Sequence, residues 1–213
     1  MTNHDSQHIA DIHHELHSHL PTEPALRAKA LESLLVEKGM VDAAAVDAWV
    51  EAYSEDIGPK NGGRIVARSW VDEGFRERLL KDASSAITEL DLEQGHLVAV
   101  ENSADVHNLI VCTLCSCYPM GLLGMAPTWY KMAAYRSRAV RDPRGVLQEF
   151  GVSVAEQTKV RVWDSTAELR YLVVPQRPPG TDGWSEDKLA TLVSRNSMIG
   201  TDRDLSVRVE AVS

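Results

Sequence analysis

Three cysteines, Cys112, Cys115 and Cys117, are the only ones in the 213-residue chain, and they fall within six consecutive positions. Thiolates select soft or thiophilic ions, and cysteines one residue apart gather their sulfurs and the intervening backbone amides into one small volume. Any fold of this chain must therefore hold Cys112-Thr113-Leu114-Cys115-Ser116-Cys117 in one tight loop, as a metal site or a redox site. A structural zinc site needs four ligands, and His107 is the candidate fourth. It fits poorly, because it lies on the far side of a predicted strand and the other three ligands share one loop. An iron-sulfur cluster wants a fourth thiolate. A dithiol redox centre uses two cysteines and leaves the third unexplained. The spacing does permit three sulfurs and the backbone nitrogens of Ser116 and Cys117 to surround a single octahedral ion. Only a strongly Lewis-acidic trivalent metal would hold deprotonated amides, and one vertex would stay open for substrate.

The rest of the composition narrows the setting. Hydrophobic residues make up 44% of the chain, enough for a substantial core in one domain, with or without an appendage. The formal charge of -9 supplies no basic excess for neutralising phosphates, which argues against a nucleic-acid partner. Apolar runs such as Leu97 to Val100 are too short to cross a bilayer, and the first residues lack a basic flank followed by an apolar stretch. A soluble cytoplasmic enzyme is the expectation, since three cysteines packed into six residues do not resemble a secreted disulfide framework.

Three materials follow one another along the sequence. Residues 1–23 hold six of the eight histidines, at positions 4, 8, 13, 14, 17 and 19, and read as a polar, disordered terminus. Residues 24–90 read as a helical arm that packs on a partner subunit. Leu26, Ala30, Leu34 and Leu35 mark a first helix stopped at Gly39, and Ala45, Val46, Trp49, Val50 and Tyr53 a second. Gly58-Pro59 and Asn61-Gly62-Gly63 read as a break before a third run with Phe75, Leu79, Leu80, Ala83 and Ile87. Residues 91–213 read as the metal-binding domain. Strands are expected at 96–101, 108–112, 159–163 and 169–174, with helices from Thr128 to Arg138, from Asp142-Pro143 to Gly151 and from Ser185 to about Val193. The absence of a repeating βαβ period favours α+β, with the cysteine run placed where a strand ends.

The residues around the cysteines resemble the nitrile hydratase α-subunit family, which shares its fold with the γ subunit of thiocyanate hydrolase. Val111-Cys112-Thr113-Leu114-Cys115-Ser116-Cys117-Tyr118-Pro119 is similar to the family's metal-binding signature. Matching segments follow in order over residues 24–200: Lys38-Gly39-Met40-Val41-Asp42, Asn61-Gly62-Gly63, Trp129-Tyr130-Lys131, Tyr135-Arg136-Ser137-Arg138, Arg141-Asp142-Pro143-Arg144, Arg170-Tyr171 and Pro175-Gln176-Arg177-Pro178. The resemblance implies a helical N-terminal arm and a layered α-β-β-α sandwich carrying the loop. It implies Cys112 as axial thiolate, Cys115 and Cys117 as equatorial sulfurs, and Ser116 and Cys117 as amidate donors, with Cys115 oxidised to a sulfinic acid and Cys117 to a sulfenic acid. Thr113 resembles the cobalt type, so cobalt(III) is expected, with iron(III) the alternative.

The activity implied is hydration of a nitrile to its amide by a hydro-lyase. The metal is the Lewis acid, acting on nitrile or on water, and the Cys117 sulfenate is a further candidate nucleophile. Gln94 matches a family glutamine that orders water or substrate. The oxidised sulfurs need donors, which the resemblance assigns to arginines of a β-type subunit, so one or two partner chains and a metallochaperone are expected and the isolated chain is expected to show little activity. The run Lys131, Arg136, Arg138, Arg141 and Arg144 is read mainly as an assembly surface. The family's Trp-Pro-rich stretch after the cysteines is here Pro119-Met120-Gly121-Leu122-Leu123-Gly124-Met125-Ala126-Pro127, which suggests a softer, roomier loop and a bulky heteroaromatic or nucleoside nitrile. Two alternatives stand beside this reading, a thiocyanate hydrolase γ-type subunit and a non-catalytic chain that binds metal.

Overall fold

The computed structural model describes residues 23–53, 58–115, 117–206, 208 and 209, and within them it mixes helices with short strands. The histidine-rich segment and Ser116 lie outside the described residues. The chain divides into two compact units, residues 1–51 and 52–213.

In the first unit, α1 (Glu23–Glu37) and α2 (Ala43–Glu51) follow the predicted periodicity. Gly39 stops α1 as expected. Its φ of +65° is open to glycine at no steric cost, and the amides of Gly39 and Met40 close a Schellman turn on the carbonyls of Val36 and Leu35. No described residue of either helix is buried, and Leu26, Leu31, Leu34, Met40 and Trp49 are all exposed.

The second unit begins earlier than the sequence suggested. Residues 58–90 belong to its core rather than to an arm: α3 (Gly58–Val71), α4 (Glu73–Lys81), α5 (Ala83–Ala86) and a 3-10 turn (Ile87–Leu90) bury Ile65, Val66, Phe75, Leu79, Ala83 and Ile87. The Asn61-Gly62-Gly63 run does not break the chain but lies inside α3. Pro59 is tolerated in the first turn, where its missing N–H has no helical acceptor to serve. The glycines cost the helix about 1 kcal/mol each relative to alanine, and the gain is close approach. A Cβ on Gly62 would sit 2.4 Å from the Met198 sulfur and 2.9 Å from the Leu122 carbonyl oxygen, and one on Gly63 would sit 3.0 Å from the Ala190 carbonyl oxygen.

Among the described residues, four strands form two parallel pairs. β1 (Leu97–Glu101) runs beside β4 (Arg170–Val174), from Leu97↔Arg170 to Glu101↔Val174. β2 (Val106–Val111) runs beside β3 (Lys159–Asp164), from Val106↔Lys159 to Val111↔Asp164. The strands appear close to where the sequence placed them, yet consecutive strands never pair, and the turn between β1 and β2 is a switch between sheets. Buried asparagines make it. Asn102 accepts the Asn108 amide at 2.7 Å, Asn108 donates to the Glu101 carbonyl at 2.6 Å, and Trp163 donates to the Asn108 side chain at 2.8 Å.

The remaining helices are short: α6 (Met120–Leu123), α7 (Thr128–Lys131), α8 (Ala133–Arg141), α9 (Pro143–Glu149), α10 (Glu186–Ala190) and α11 (Arg195–Ile199). Asp142 and Ser185 cap α9 and α10 as predicted, accepting from Gly145 and Lys188. Thr128 does not cap. It sits inside the first turn of α7 with Pro127 before it, and the single helix expected over 128–138 is split at Met132, whose ψ of 135° is extended.

Candidate metal centre

β2 delivers the site. Its last rung pairs Val111 with Asp164, and Cys112 follows, fully buried, with Cys117 half-buried and Cys115 exposed. The three sulfurs lie within 4.8 Å of one another, the one such cluster of potential metal ligands among the described residues. Cys112 Sγ is 3.3 Å from Cys115 Sγ, which is 2.9 Å from Cys117 Sγ. These separations are well beyond a disulfide of about 2.05 Å. Two thiolates at about 2.3 Å from a common ion stand roughly 3.8 Å apart on a tetrahedron and roughly 3.3 Å apart at a right angle. The observed spacings fall at or below the right-angle value, so the donor set fits neighbouring corners of an octahedron better than a zinc tetrahedron. Burial, helped by the two neighbouring thiols, pushes the Cys117 thiol up to about 12. A cation that replaces its proton relieves that crowding.

Side chains from three other segments hold the loop by its backbone. Asp164, at the end of β3, accepts from the Thr113 amide at 2.9 Å and from its hydroxyl at 2.5 Å. Ser165 donates its amide to the Val111 carbonyl at 2.7 Å and so latches the strand end. From α8, Arg136 Nη1 donates to the carbonyls of Thr113 at 3.3 Å and Cys115 at 3.0 Å. Its Nε–H is buried without an acceptor. Tyr130 donates to the Cys117 carbonyl at 3.0 Å and Tyr135 to the Ile110 carbonyl at 2.6 Å.

The break at Met132 explains how two tyrosines five residues apart serve one loop. Restarting the helix gives Tyr130 and Tyr135 independent directions beneath the loop, and both are buried. Their rings pack with Trp129, Phe150 and Tyr118 in edge-on contacts at 4.8 to 6.3 Å between centroids. Burial raises the ionisation of all three tyrosine hydroxyls well above the usual range, which keeps them protonated as donors.

The three predicted cysteines therefore converge, while His107 does not join them. It is fully buried in β2 with Nε2 2.8 Å from the Gly200 carbonyl, and burial lowers its pKa, so it is a neutral core histidine. Gln94 lies in the turn before β1, its side-chain nitrogen 3.4 Å from the Gly95 carbonyl, with no hydrogen bond to a cysteine. The basic run divides. Arg136 grips the cysteine loop, Arg138 pairs with Glu149 at 2.6 Å, and Arg144 donates to the carbonyls of Val154, Ala155, Glu156 and Thr158. Sequence reasoning missed Arg136, Tyr130, Tyr135 and Asp164 as supports. The first three stand in segments that resemble the family, which was the available signal; Asp164 read as a turn residue.

The stretch after the cysteines is fastened at several points. Asn61 donates to the Gly121 carbonyl at 3.0 Å, Arg195 to the Met125 carbonyl at 2.6 Å, and Leu122 and Leu123 are buried. At Gly121 itself a Cβ would meet nothing within 4 Å, so this position leaves open space.

The family model described as nitrile hydratase, alpha chain, matches residues 22–202. The chain belongs to the nitrile hydratase α-chain family. Among curated relatives, it is 52% identical over 181 residues to the low-molecular weight cobalt-containing nitrile hydratase subunit alpha of Rhodococcus rhodochrous, covering 84% of this chain and 87% of that one. It is 38% identical over 185 residues to the thiocyanate hydrolase subunit gamma of Thiobacillus thioparus, covering 80% and 76%. A double mutant of the Fe-type nitrile hydratase from Comamonas testosteroni Ni1 superposes with a TM-score of 0.75 at 40% identity, over 86% of this chain and 92% of that one. The cysteine loop and its supports all lie within the span that matches the nitrile hydratase α-chain family.

Proposed function

We propose that this chain is the metal-holding α subunit of a cobalt-containing nitrile hydratase, a hydro-lyase that converts a nitrile to its amide. The observation that carries the reading is the convergence of Cys112, Cys115 and Cys117 within 4.8 Å, with successive sulfurs 3.3 and 2.9 Å apart, in a nitrile hydratase α chain. Relatives named as cobalt-containing share about half of its residues, which favours cobalt over iron. Cys112, Cys115 and Cys117 would hold the ion by sulfur, and Ser116 and Cys117 by backbone nitrogen. When bound, the ion would supply Lewis acidity toward the nitrile or water. Cys115 as a sulfinic and Cys117 as a sulfenic acid would supply oxygen acceptors, and the Cys117 oxygen would be a candidate nucleophile on the nitrile carbon. Gln94 is the further group proposed to order water or substrate.

The rest of the site comes from other chains. Leu114, in the middle of the cysteine loop, is 86% exposed, and beside it Thr113, Ala133, Arg136, Ser137, Val140 and Arg141 line a cleft of about 340 Å³. A β-type partner, in one or two chains, covers this face and supplies arginines to the oxidised sulfurs, and a metallochaperone loads the ion. The arm is restricted to 24–51, where two helices with exposed leucines and no buried residue need a partner surface. The two sheets, joined through Asn102, Asn108 and Trp163, are read as the middle of an α-β-β-α sandwich. No described helix is long and apolar enough to cross a membrane, and the cytoplasm is the proposed compartment. Open space at Gly121 supports a bulky nitrile.

The test is co-expression with the partner chain or chains in cobalt- and iron-supplemented medium. Expected are one cobalt per α chain, an α-chain mass that includes a sulfinic and a sulfenic acid, and amide from a nitrile. Carbonyl sulfide release from thiocyanate without nitrile hydration would point to the thiocyanate hydrolase instead. Zinc with unoxidised cysteines would point to a chain that only binds metal.

A further inference from the structure

Of all the groups around the cysteine loop, one is attached to a particular peptide bond in a way that bears on its chemistry. Arg136 Nη1 donates to the Cys115 carbonyl at 3.0 Å. That oxygen belongs to the peptide whose nitrogen is the nitrogen of Ser116. The same Nη1 reaches the Thr113 carbonyl at 3.3 Å, so one guanidinium corner clamps two carbonyls across the loop. Arg136 forms no ion pair among the described residues, and its Nε is buried without an acceptor. Its charge is therefore not spent on a carboxylate. Arg138, in the same helix, and Arg68, in α3, show the contrast, each paired with acidic side chains.

Resting on the metal-site reading above, we propose that Arg136 is a positioning residue that makes the Cys115–Ser116 peptide a ligand. For the Ser116 nitrogen to bind an ion as an amidate, its N–H bond breaks, the proton leaves to water, and the electron pair left behind is shared between that nitrogen and the Cys115 carbonyl oxygen. A cationic donor on this oxygen stabilises the shared negative charge, as charge-assisted hydrogen bonds do for any oxyanion. The clamp on Thr113 keeps the peptide from turning when the charge forms. Tyr130 stands on the Cys117 carbonyl, which belongs to the next peptide but one and whose nitrogen is not a ligand, so it holds position without this electronic effect. The site thus distinguishes its two supports: a neutral donor fixes the end of the loop, and a charged one sits on one of the two peptides that must become anions.

The experiment uses the assembled complex, co-expressed with cobalt(II) in the medium, with Arg136→Lys, Arg136→Gln and Arg136→Met beside the wild type and Arg138→Gln as a control for loss of a nearby charge. Metal per chain and the sulfur-to-metal absorption band are read, with circular dichroism as the measure of fold. Loss of a supporting hydrogen bond at a metal ligand lowers metal affinity about 10- to 100-fold. Arg136→Met is expected to fold, to retain far less cobalt under chelator challenge and to shift the band, with Lys nearest the wild type, Gln between, and Arg138→Gln unchanged. If Arg136→Met fails to fold, Arg136→Gln decides on the same readouts. A folded Met or Gln variant with wild-type metal content and spectrum would overturn the role of Arg136, as would an equal change in Arg138→Gln. A wild-type complex that takes up no cobalt or iron would instead overturn the metal-site reading itself.

Discussion

The Tyr130 hydroxyl donates to the carbonyl of Cys117 at 3.0 Å, from a side chain with no exposed surface. Tyr130→Phe removes the donor, keeps the ring contacts with Tyr118 and Trp129, and leaves a part-buried carbonyl unpaired. The expected cost is about 1–2 kcal/mol, visible as a lower denaturant midpoint at unchanged slope, together with reduced metal content. Wild-type stability and metal content in this variant would show that the loop does not depend on the hydroxyl.

Asp164→Ala deletes both bonds to Thr113 at once. Because Asp164 is exposed, stability should fall by no more than about 1 kcal/mol, whereas metal occupancy should drop severalfold. Metal analysis beside urea unfolding separates the two effects. A large stability loss with normal occupancy would contradict the assignment.

Gly200 and Gly151 both adopt positive φ, at +97° and +76°, but only Gly200 is crowded: a Cβ there would lie 2.0 Å from the Asn108 carbonyl oxygen. Gly151→Ala should cost about 1 kcal/mol from backbone strain, and Gly200→Ala should cost more than about 3 kcal/mol, since a backbone atom must move. Equal losses in thermal unfolding would refute the close approach of α11 to β2.

Acid should weaken the fold through His107. Burial lowers its pKa below the ordinary 6.5, so as pH falls through that value the unfolded chain takes up a proton that the folded chain refuses. Its contribution is present above pH 6.5 and is lost below it. His107→Gln keeps a donor for Gly200 but cannot titrate, and its unfolding midpoint should change less than the wild type's between pH 7.5 and pH 5.5.

The metal-free chain should respond to alkali in the opposite way. With the Cys117 thiol raised from 9.0 to about 12, the folded state keeps a proton the unfolded state releases, so stability present below pH 9 declines toward pH 12. Alkylation of Cys117 should accordingly be slow near neutral pH and accelerate in that window. Rapid labelling at pH 7.5, located by peptide mass, would contradict the crowding of the three thiols.

The cysteine run, its place at a strand end and the four strands were all legible from spacing and from short β-rich apolar runs, because both are local signals. What escaped was long-range. Asn61-Gly62-Gly63 reads as a turn unless Met198 and Leu122 are known to press against it. Asp164 reads as a turn residue until β3 is laid beside β2 in parallel. Arg136 reads as part of a basic assembly surface until α8 restarts at Met132 and points it under the loop. The parallel pairing itself was hidden, since the turn at 102–105 looks like a hairpin connection and carries no sign of the sheet switch.

The loop is grasped at Ile110, Val111, Thr113, Cys115 and Cys117 by groups from α7, α8 and the end of β3. The entropy of gathering three thiols is therefore met when the chain folds, before any ion arrives. In the proposed metal site this would act as a gauge: an ion that prefers wide tetrahedral angles would have to distort the tyrosines and the arginine that hold the loop, while one content with right angles would enter without moving them. Discrimination between metals then lies as much in the stiffness of the surrounding protein as in the softness of sulfur.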